Sequence, residues 1–423
     1  MNRFLLPLAA VSGGSFFIFS ILAPAEYLIK LSTMDWLVFL PAAVILVAWL
    51  LWETRERRMP SASTHTHSRL LFVLMLILAI PVMAVFQQTW LRIAAGDPAA
   101  GTHDGAVQTE AALTFLLDGE NPYSANYQET PFGRHGDFFS QGALPNPAWE
   151  HYVYPPGYLI ASLPFAAYAR TMHIFYDQRI AQLFFFAAAL GILSYGVRKA
   201  NRARAWILFG LNPVFLWFYI SGYNDIAVVA ALTGAAVFWN QKRIVLAFFL
   251  LGIAVTVKQS AVLFVPAFLI ALFFFHRRFL CKALAAFLIS PLLLYGSFLF
   301  INAGALIDDL LRFPSAGGLA GYPISGVGIS RVLLEMGIIA GDRDVYPFWL
   351  LQAAVALPLF VAMIFVIRKH SSAWMLVSLS TVFTAFIWVM ARYFNDSHLA
   401  FLLQMVIVGY ILYYEKESVQ SHA

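Results

Sequence analysis

Apolar runs recur along almost the whole chain, each close to the roughly 20 residues a helix needs to cross hydrocarbon. They fall at about residues 4–22, 36–52, 70–87, 156–171, 180–197, 205–220, 223–240, 243–257, 260–275, 279–301, 345–367, 372–391 and 397–414. The alternating ten-residue segments of a membrane barrel are missing from the pattern. It predicts an all-α, polytopic helical membrane protein with 12–13 transmembrane segments and a long first outer loop carrying short surface helices. Four regions follow: an N-terminal transmembrane hairpin with its cytoplasmic loop (1–69), a transmembrane module that includes the outer loop 88–155 (70–301), a second outer loop (302–344), and C-terminal transmembrane helices (345–423).

The polar interruption 88–155 holds eight acids, Asp97, Asp104, Glu110, Asp118, Glu120, Glu129, Asp137 and Glu150, against Arg92 and Arg134. Such a segment cannot lie in hydrocarbon, where unpaired polar groups have no water to bond. Within it, Asp104 is placed to cap a helix over Gly105–Asp118. Gly119 and Asn121-Pro122 then supply stop signals. An N-capping Asp is common and contributes about 1 kcal/mol, which is the plain alternative to a chemical role. Glu110 lies about 240° of helical rotation from Asp104 and does not stack on it. His103 and Glu110 are seven apart and would share a helix face, a weak metal pair because further ligands cannot be named. Later, His151-Tyr152-Val153-Tyr154-Pro155-Pro156-Gly157 forces an extended entry into the next apolar run. Its tyrosines suit either a membrane-entry turn or a binding role.

Composition sharpens the class. Hydrophobic residues make up 61% of the chain, charged residues 12%, and the mean hydropathy is +0.74, whereas a soluble domain carries about 25% charged residues. The formal charge of +5 does not indicate a nucleic-acid partner, because the basic residues cluster in short loops: Arg55, Arg57, Arg58; Arg198, Lys199, Arg202, Arg204; Lys242, Arg243; Arg277, Arg278, Lys282; Arg368, Lys369. That is the positive-inside pattern. It places 88–155, Ser221–Asp225, Lys258, 302–344 and Arg392–His398 on the outer side. One conflict arises: two crossings between 155 and 198 would put Arg198–Arg204 outside. A re-entrant or surface-lying segment 156–171 would remove the conflict, and whether it fully spans stays open, which is why the count is 12–13. At the N-terminus, Arg3, the run 4–22 and Ala23-Pro24-Ala25 fit an uncleaved first helix better than a signal peptide. Cys281 is the only cysteine, which excludes an internal disulfide and a Cys-based metal cluster. No Walker-type phosphate loop appears, so ATP-driven transport has no support.

Three polar intrusions share the outer side with the acidic loop. They are Asp225 in Gly222-Tyr223-Asn224-Asp225, Lys258 in Val257-Lys258-Gln259-Ser260, and the turn Arg392-Tyr393-Phe394-Asn395-Asp396-Ser397-His398. An ionisable residue at membrane depth is costly and is a functional candidate by default. The alternative is a helix cap or a snorkelling side chain.

The stretches HDGAVQTEAALTFLLDGENPY and YVYPPGYLIASLPF resemble the first outer loop of integral-membrane glycosyltransferases of the GT-C superfamily. These include polyprenyl-phosphate-mannose-dependent transferases, protein mannosyltransferases and aminoarabinose transferases. SGYNDIAVVAAL and VTVKQSAVLFVPAFLI resemble later turns of the same group, so the likeness covers roughly residues 70–270. The resemblance implies transfer from a polyprenyl-phosphate sugar, with Asp104 as the outer-loop acid and Glu110 as a second candidate. Many members carry adjacent acids at this position, whereas here Gly105 follows Asp104. The implied partners are a polyprenyl-phosphate donor, a glycan, lipid or protein acceptor, and membrane lipids, in a bacterial cytoplasmic membrane with the site facing outside.

The chemistry such a reaction needs can be matched to residue types. A carboxylate can take the proton of an attacking hydroxyl, and cations stabilise the phosphate leaving group. Asp104 is the expected base. Lys258, Arg392 and, third, Arg312 are the expected phosphate partners, while Asp225, Tyr152 and Tyr154 position the acceptor and His398 joins the binding site. Asp104 and Glu110 leave room for a divalent cation but do not require one. The rival reading is a secondary transporter of a small polar or lipid-linked solute. It would place its ionisable groups near mid-membrane on broken helices in related halves, and no internal repeat is visible.

Overall fold

The computed structural model describes residues 66–133, 147–318 and 321–420. The expected spans 4–22 and 36–52, and the question of a cleaved first helix, lie outside the described residues. The remaining apolar runs fold as helices: α1 (Thr66–Ala95), α2 (Asp104–Leu117), α3 (Pro156–Thr171), α4 (Arg179–Gly196), α5 (Arg202–Gly210), α6 (Pro213–Ser221), α7 (Asp225–Asn240), α8 (Ile244–Val257), α9 (Val265–Phe275), α10 (Leu280–Ile307), α11 (Ile329–Glu335), α12 (Phe348–Ile367), α13 (Ala373–Val389) and α14 (Asp396–Gln420). Strands β1 (Ser325–Gly326) and β2 (Tyr393–Phe394) pair in parallel, Ser325 opposite Tyr393. The protein is an all-α integral membrane protein.

Among the described residues, five helices are long and apolar enough to cross a membrane: α1 from Leu71, α4, the helix containing α10, α12 and α14. The pair α5–α6, bent by 58°, makes a sixth, and α7, α8, Gln259–Phe275 and α13 are shorter apolar helices. Helix α7 sits at the centre and is buried on nearly every face. Its sequence, apolar all round and rich in alanine, suits that place, because small side chains let neighbouring backbones approach. Helices α8 and α10 approach closely, so that a side chain at Gly252 would collide with the Phe287 carbonyl. Helix α10 breaks at Asn302, whose φ of −157° leaves the helical region.

The structure settles the conflict over 156–171. Helix α3 is anchored to the polar segment at both ends. At its start, Tyr154 O accepts a bond from Tyr123 Oη at 2.8 Å. At its far end, Arg170 pairs with Asp118, the residue after α2, at 2.7 Å. Gln178, just before α4, also bonds back to Ser162 on α3 at 2.8 Å. Helix α3 therefore lies along the face that carries 88–133, and α4 makes the crossing. Arg198 then falls at the opposite end, where its Nε meets Glu415 at 2.9 Å. The two ends of the bundle are a polar face, with the outer-loop helix α2, and a basic face.

Candidate functional site

Helix α2 is seated on the α6–α7 turn. His103 N donates to Ser221 O at 2.8 Å. Gly222 closes α6 with φ +104° and packs against Ala106 and Thr102. That backbone conformation strains any residue with a Cβ, so Gly222 lets the turn pass beneath α2. His103, not Asp104, is the N-cap: its Nδ1 accepts from Gly105 N at 3.1 Å, and Asp104 is the first helical residue. With Nδ1 accepting, Nε2 carries the proton and faces Asp104 Oδ1 at 3.0 Å. The imidazole lies over Tyr223, 3.6 Å between ring centres.

A cavity of about 1500 Å³ opens beside this pair. Its polar end is lined by His103, Asp104, Tyr154, Lys258, Asp396 and His398. An apolar arm continues between α13 and α14 past Val382, Ala385, Leu399, Leu402 and Val406. Val382 and Val406 are 48% and 45% exposed, so the arm reaches the lipid-facing surface of the bundle.

Each wall has a local cause. Lys258 ends α8 in an extended conformation; its Nζ meets Asp225 Oδ1 at 2.5 Å and Asn224 Oδ1 at 3.5 Å. Asp225 is buried at the start of α7 and does not line the cavity; it anchors the lysine. The lysine keeps a third donor, as ammonium groups have three. Tyr154 is brought in by an extended strand held by Tyr123 Oη and by Gln108, whose Nε2 donates to His151 O at 2.7 Å and to Ala148 O at 3.1 Å. A side chain at Gly105 would collide with the Tyr154 hydroxyl. The phenol therefore occupies the space that a side chain at Gly105 would need. Burial pushes the Tyr154 and Tyr322 phenols up, so both remain protonated. His398 accepts from Asn395 N through Nδ1 at 3.0 Å and meets Trp388 edge-on.

Several expected site residues are placed elsewhere. Glu110 projects to the other side of α2 and enters a buried ionic knot. It bonds Arg92 at 2.6 Å and accepts from Gln178 N at 2.8 Å. Asp177 joins the knot, with Arg179 Nη2 at 2.6 Å, Arg92 Nη1 at 2.8 Å and Thr89 Oγ1 at 2.9 Å. Burial opposes ionisation of Asp177, but the Arg179 guanidinium, with Arg92 behind it, holds its carboxyl at about 2. Glu110 therefore shares no ion with Asp104, nor a face with His103.

Arg392 is likewise buried and off the cavity wall. It donates to three backbone carbonyls of the second polar segment: Tyr322 at 2.5 Å, Asp344 at 2.7 Å and Asp342 at 2.8 Å. It staples that segment to the α13–α14 turn, beside the β1–β2 pair. Tyr152 is fully buried, its hydroxyl 3.3 Å from Thr109 Oγ1. Arg312 is 70% exposed and 3.9 Å from Asp308.

Sequence reasoning passed over Asp396, Tyr322 and Arg331, which also line the cavity. Asp396 stands in the Arg392–His398 turn, where Arg392 and His398 are the candidates the sequence singles out. Tyr322 and Arg331 carry no local signal. A second cluster joins the two polar segments: His151 Nδ1 lies 2.7 Å from Asp309 Oδ1 and 3.6 Å from Asp308 Oδ2, and Asp309 Oδ2 accepts from Tyr152 N at 2.8 Å. One imidazole nitrogen and two carboxylates thus come within 4.8 Å of one another.

Residues 114–274 match the model of the alpha-(1→6)-mannopyranosyltransferase family, N-terminal domain. The chain resembles membrane glycosyltransferases of the GT-C superfamily. Among solved structures, the crystal structure of ArnT from Cupriavidus metallidurans bound to undecaprenyl phosphate aligns with a TM-score of 0.46 at 12% identity. The alignment covers 80% of this chain and 59% of that one. No curated protein matches the sequence.

Proposed function

We propose that this chain is a membrane glycosyltransferase that moves a hexose, mannose by the family match, from a polyprenyl-phosphate donor to an acceptor hydroxyl. One observation carries the reading: a single cavity holds Asp104 and Lys258 at its polar end and continues as an apolar arm that opens to lipid. A prenyl chain lies in the α13–α14 arm and brings its phosphate to Lys258. The acceptor, a glycan or other hydroxyl-bearing molecule, enters at the polar face between Tyr154 and Tyr322. The basic clusters lie at the other end of the bundle, so by the positive-inside pattern the cavity faces outward.

In the reaction, Asp104 takes the proton of the acceptor hydroxyl as its oxygen attacks the anomeric carbon. The new carbon–oxygen bond forms on the face opposite the phosphate. The old one breaks, and its electron pair leaves with the prenyl phosphate. The free donor of Lys258 bonds the developing phosphate charge, while Asp225 keeps the ammonium in place. His103 Nε2–H holds the Asp104 carboxylate toward the cavity.

The test supplies purified protein with radiolabelled polyprenyl-phosphate mannose and candidate acceptors, and follows labelled product together with released prenyl phosphate. Stoichiometric release with transfer is expected. Uptake of an unmodified solute into liposomes without chemical change would sink the proposal in favour of a transporter.

A further inference from the structure

Helix α8 runs from the basic face to the cavity, with Lys258 at its end and Lys242 and Arg243 just before its start. Lys258 has its carboxylate, and so does Arg198 on the basic face. Lys242, Arg243 and Arg278 have none among the described residues. Arg278 lies over the Phe279 ring, 4.8 Å from its centre, and Arg243 over Tyr195 at 5.7 Å. Lys242 is held at φ +63°, a conformation that side-chain-bearing residues rarely adopt. Lys242 and Arg278 both act on His276, while Arg243 turns toward Tyr195. Burial, with the Lys242 and Arg278 charges, lowers the pKa of nearby His276, which stays neutral there.

Two of these cations, Lys242 and Arg243, rim a cleft of about 490 Å³ between the starts of α8 and α10. Lys242 and Arg243 line its charged end, and Val245, Phe249, Phe279 and Ala286 line the rest. Val245 is exposed, and so are Leu288 and Ile289 further along α10. The cleft therefore opens toward hydrocarbon, in line with the lipid-facing surface of the spans. A charged rim without counter-ions above an apolar slot complements a molecule with an anionic head and a hydrocarbon tail. Glycosyl transfer at the far end of the bundle uses neither part.

We propose that this cleft binds an anionic phospholipid of the leaflet on the basic face, its phosphate between Lys242 and Arg243 and an acyl chain along Val245 and Phe249. Basic pockets between spanning helices recognise anionic headgroups in this way. The proposal does not rest on the glycosyltransferase reading.

The experiment compares wild-type protein with K242Q/R243Q, the milder R243Q, and R368Q/K369Q. The last removes equal charge from the same face without touching the cleft. Each is placed in nanodiscs of phosphatidylcholine, with or without phosphatidylglycerol. Bound lipid is counted by native mass spectrometry, and unfolding temperature is recorded. Wild type and R368Q/K369Q should retain phosphatidylglycerol and melt higher with it. K242Q/R243Q should lose about 30-fold in affinity, about fivefold for each charge removed, and R243Q should fall between. Unchanged melting in phosphatidylcholine alone certifies that the variants fold. Equal loss in both double variants would reduce the effect to diffuse charge and overturn the site. So would equal stabilisation by inorganic phosphate alone, which would show an anion notch without lipid recognition.

Discussion

Two groups of charges face each other across α2, and they have opposite fates. On one side, Arg92, Glu110, Asp177 and Arg179 form a knot in which every charge has partners from several directions. On the other, Asp104 and Lys258 each have one close ionic partner and remain in contact with a large cavity. Fully satisfied buried charges have no bonding capacity left for a substrate and serve to fix geometry. Half-satisfied charges at a cavity wall are costly to keep and are available for chemistry. The acidity of the first polar segment is therefore two things: Glu110 ties α2 to α1 and to the turn before α4, and Asp104 is presented by the helix so tied.

The sharpest way to break this comparison is Asp104→Asn. Transfer should fall by about 10³-fold, within the range for losing a general base, with unchanged melting in detergent. Near-normal turnover would move the chemistry elsewhere. Asp177→Asn should do the reverse, lowering stability by about 3–5 kcal/mol because it leaves two buried guanidinium groups short of a counter-charge. Residual activity per folded molecule should persist, as read by denaturation alongside turnover. Asp177 also sets a pH test. Its folded pKa is depressed to about 2, so its contribution is complete above the ordinary carboxylate range and lost as pH falls through about 2. The Asn variant should lack that acid limb.

Arg392→Gln comes next. Losing charge-assisted bonds to three carbonyls should cost about 3 kcal/mol locally, seen as faster proteolysis within 313–344 before any cleavage of the bundle. Donor turnover would fall only as far as Tyr322 and Arg331 are displaced. Arg312→Ala should have the smallest effect, under about 0.5 kcal/mol and without change in activity, because its exposed ion pair is screened by water. A large activity loss there would restore it as a phosphate partner.

Much of the fold was legible in the sequence. The run read as 180–197 is α4, Arg179–Gly196, and the run 279–301 ends at the Asn302 break. The helix expected after Asp104 is α2, closed by Gly119. These are properties of contiguous residues, since hydropathy, caps and breakers act within a few positions. The site was legible only in part. Asp104, Lys258, Tyr154 and His398 do line one cavity, but the sequence did not separate Asp104 from Glu110 or Lys258 from Arg392. All four are ionisable groups beside apolar runs, and their local context is alike.

The amino-acid sequence by itself determined that the chain crosses a membrane many times, where most helices start and stop, and which end of the bundle is basic. Tertiary structure decided that α3 lies along the polar face, because Arg170 finds Asp118 across more than 50 positions. It also decided that Arg392 is a staple, because its three carbonyls lie 48 to 70 residues away. Whether a charge is consumed by the fold or left for a substrate depends on partners distant in sequence, and only the packed chain brings them together.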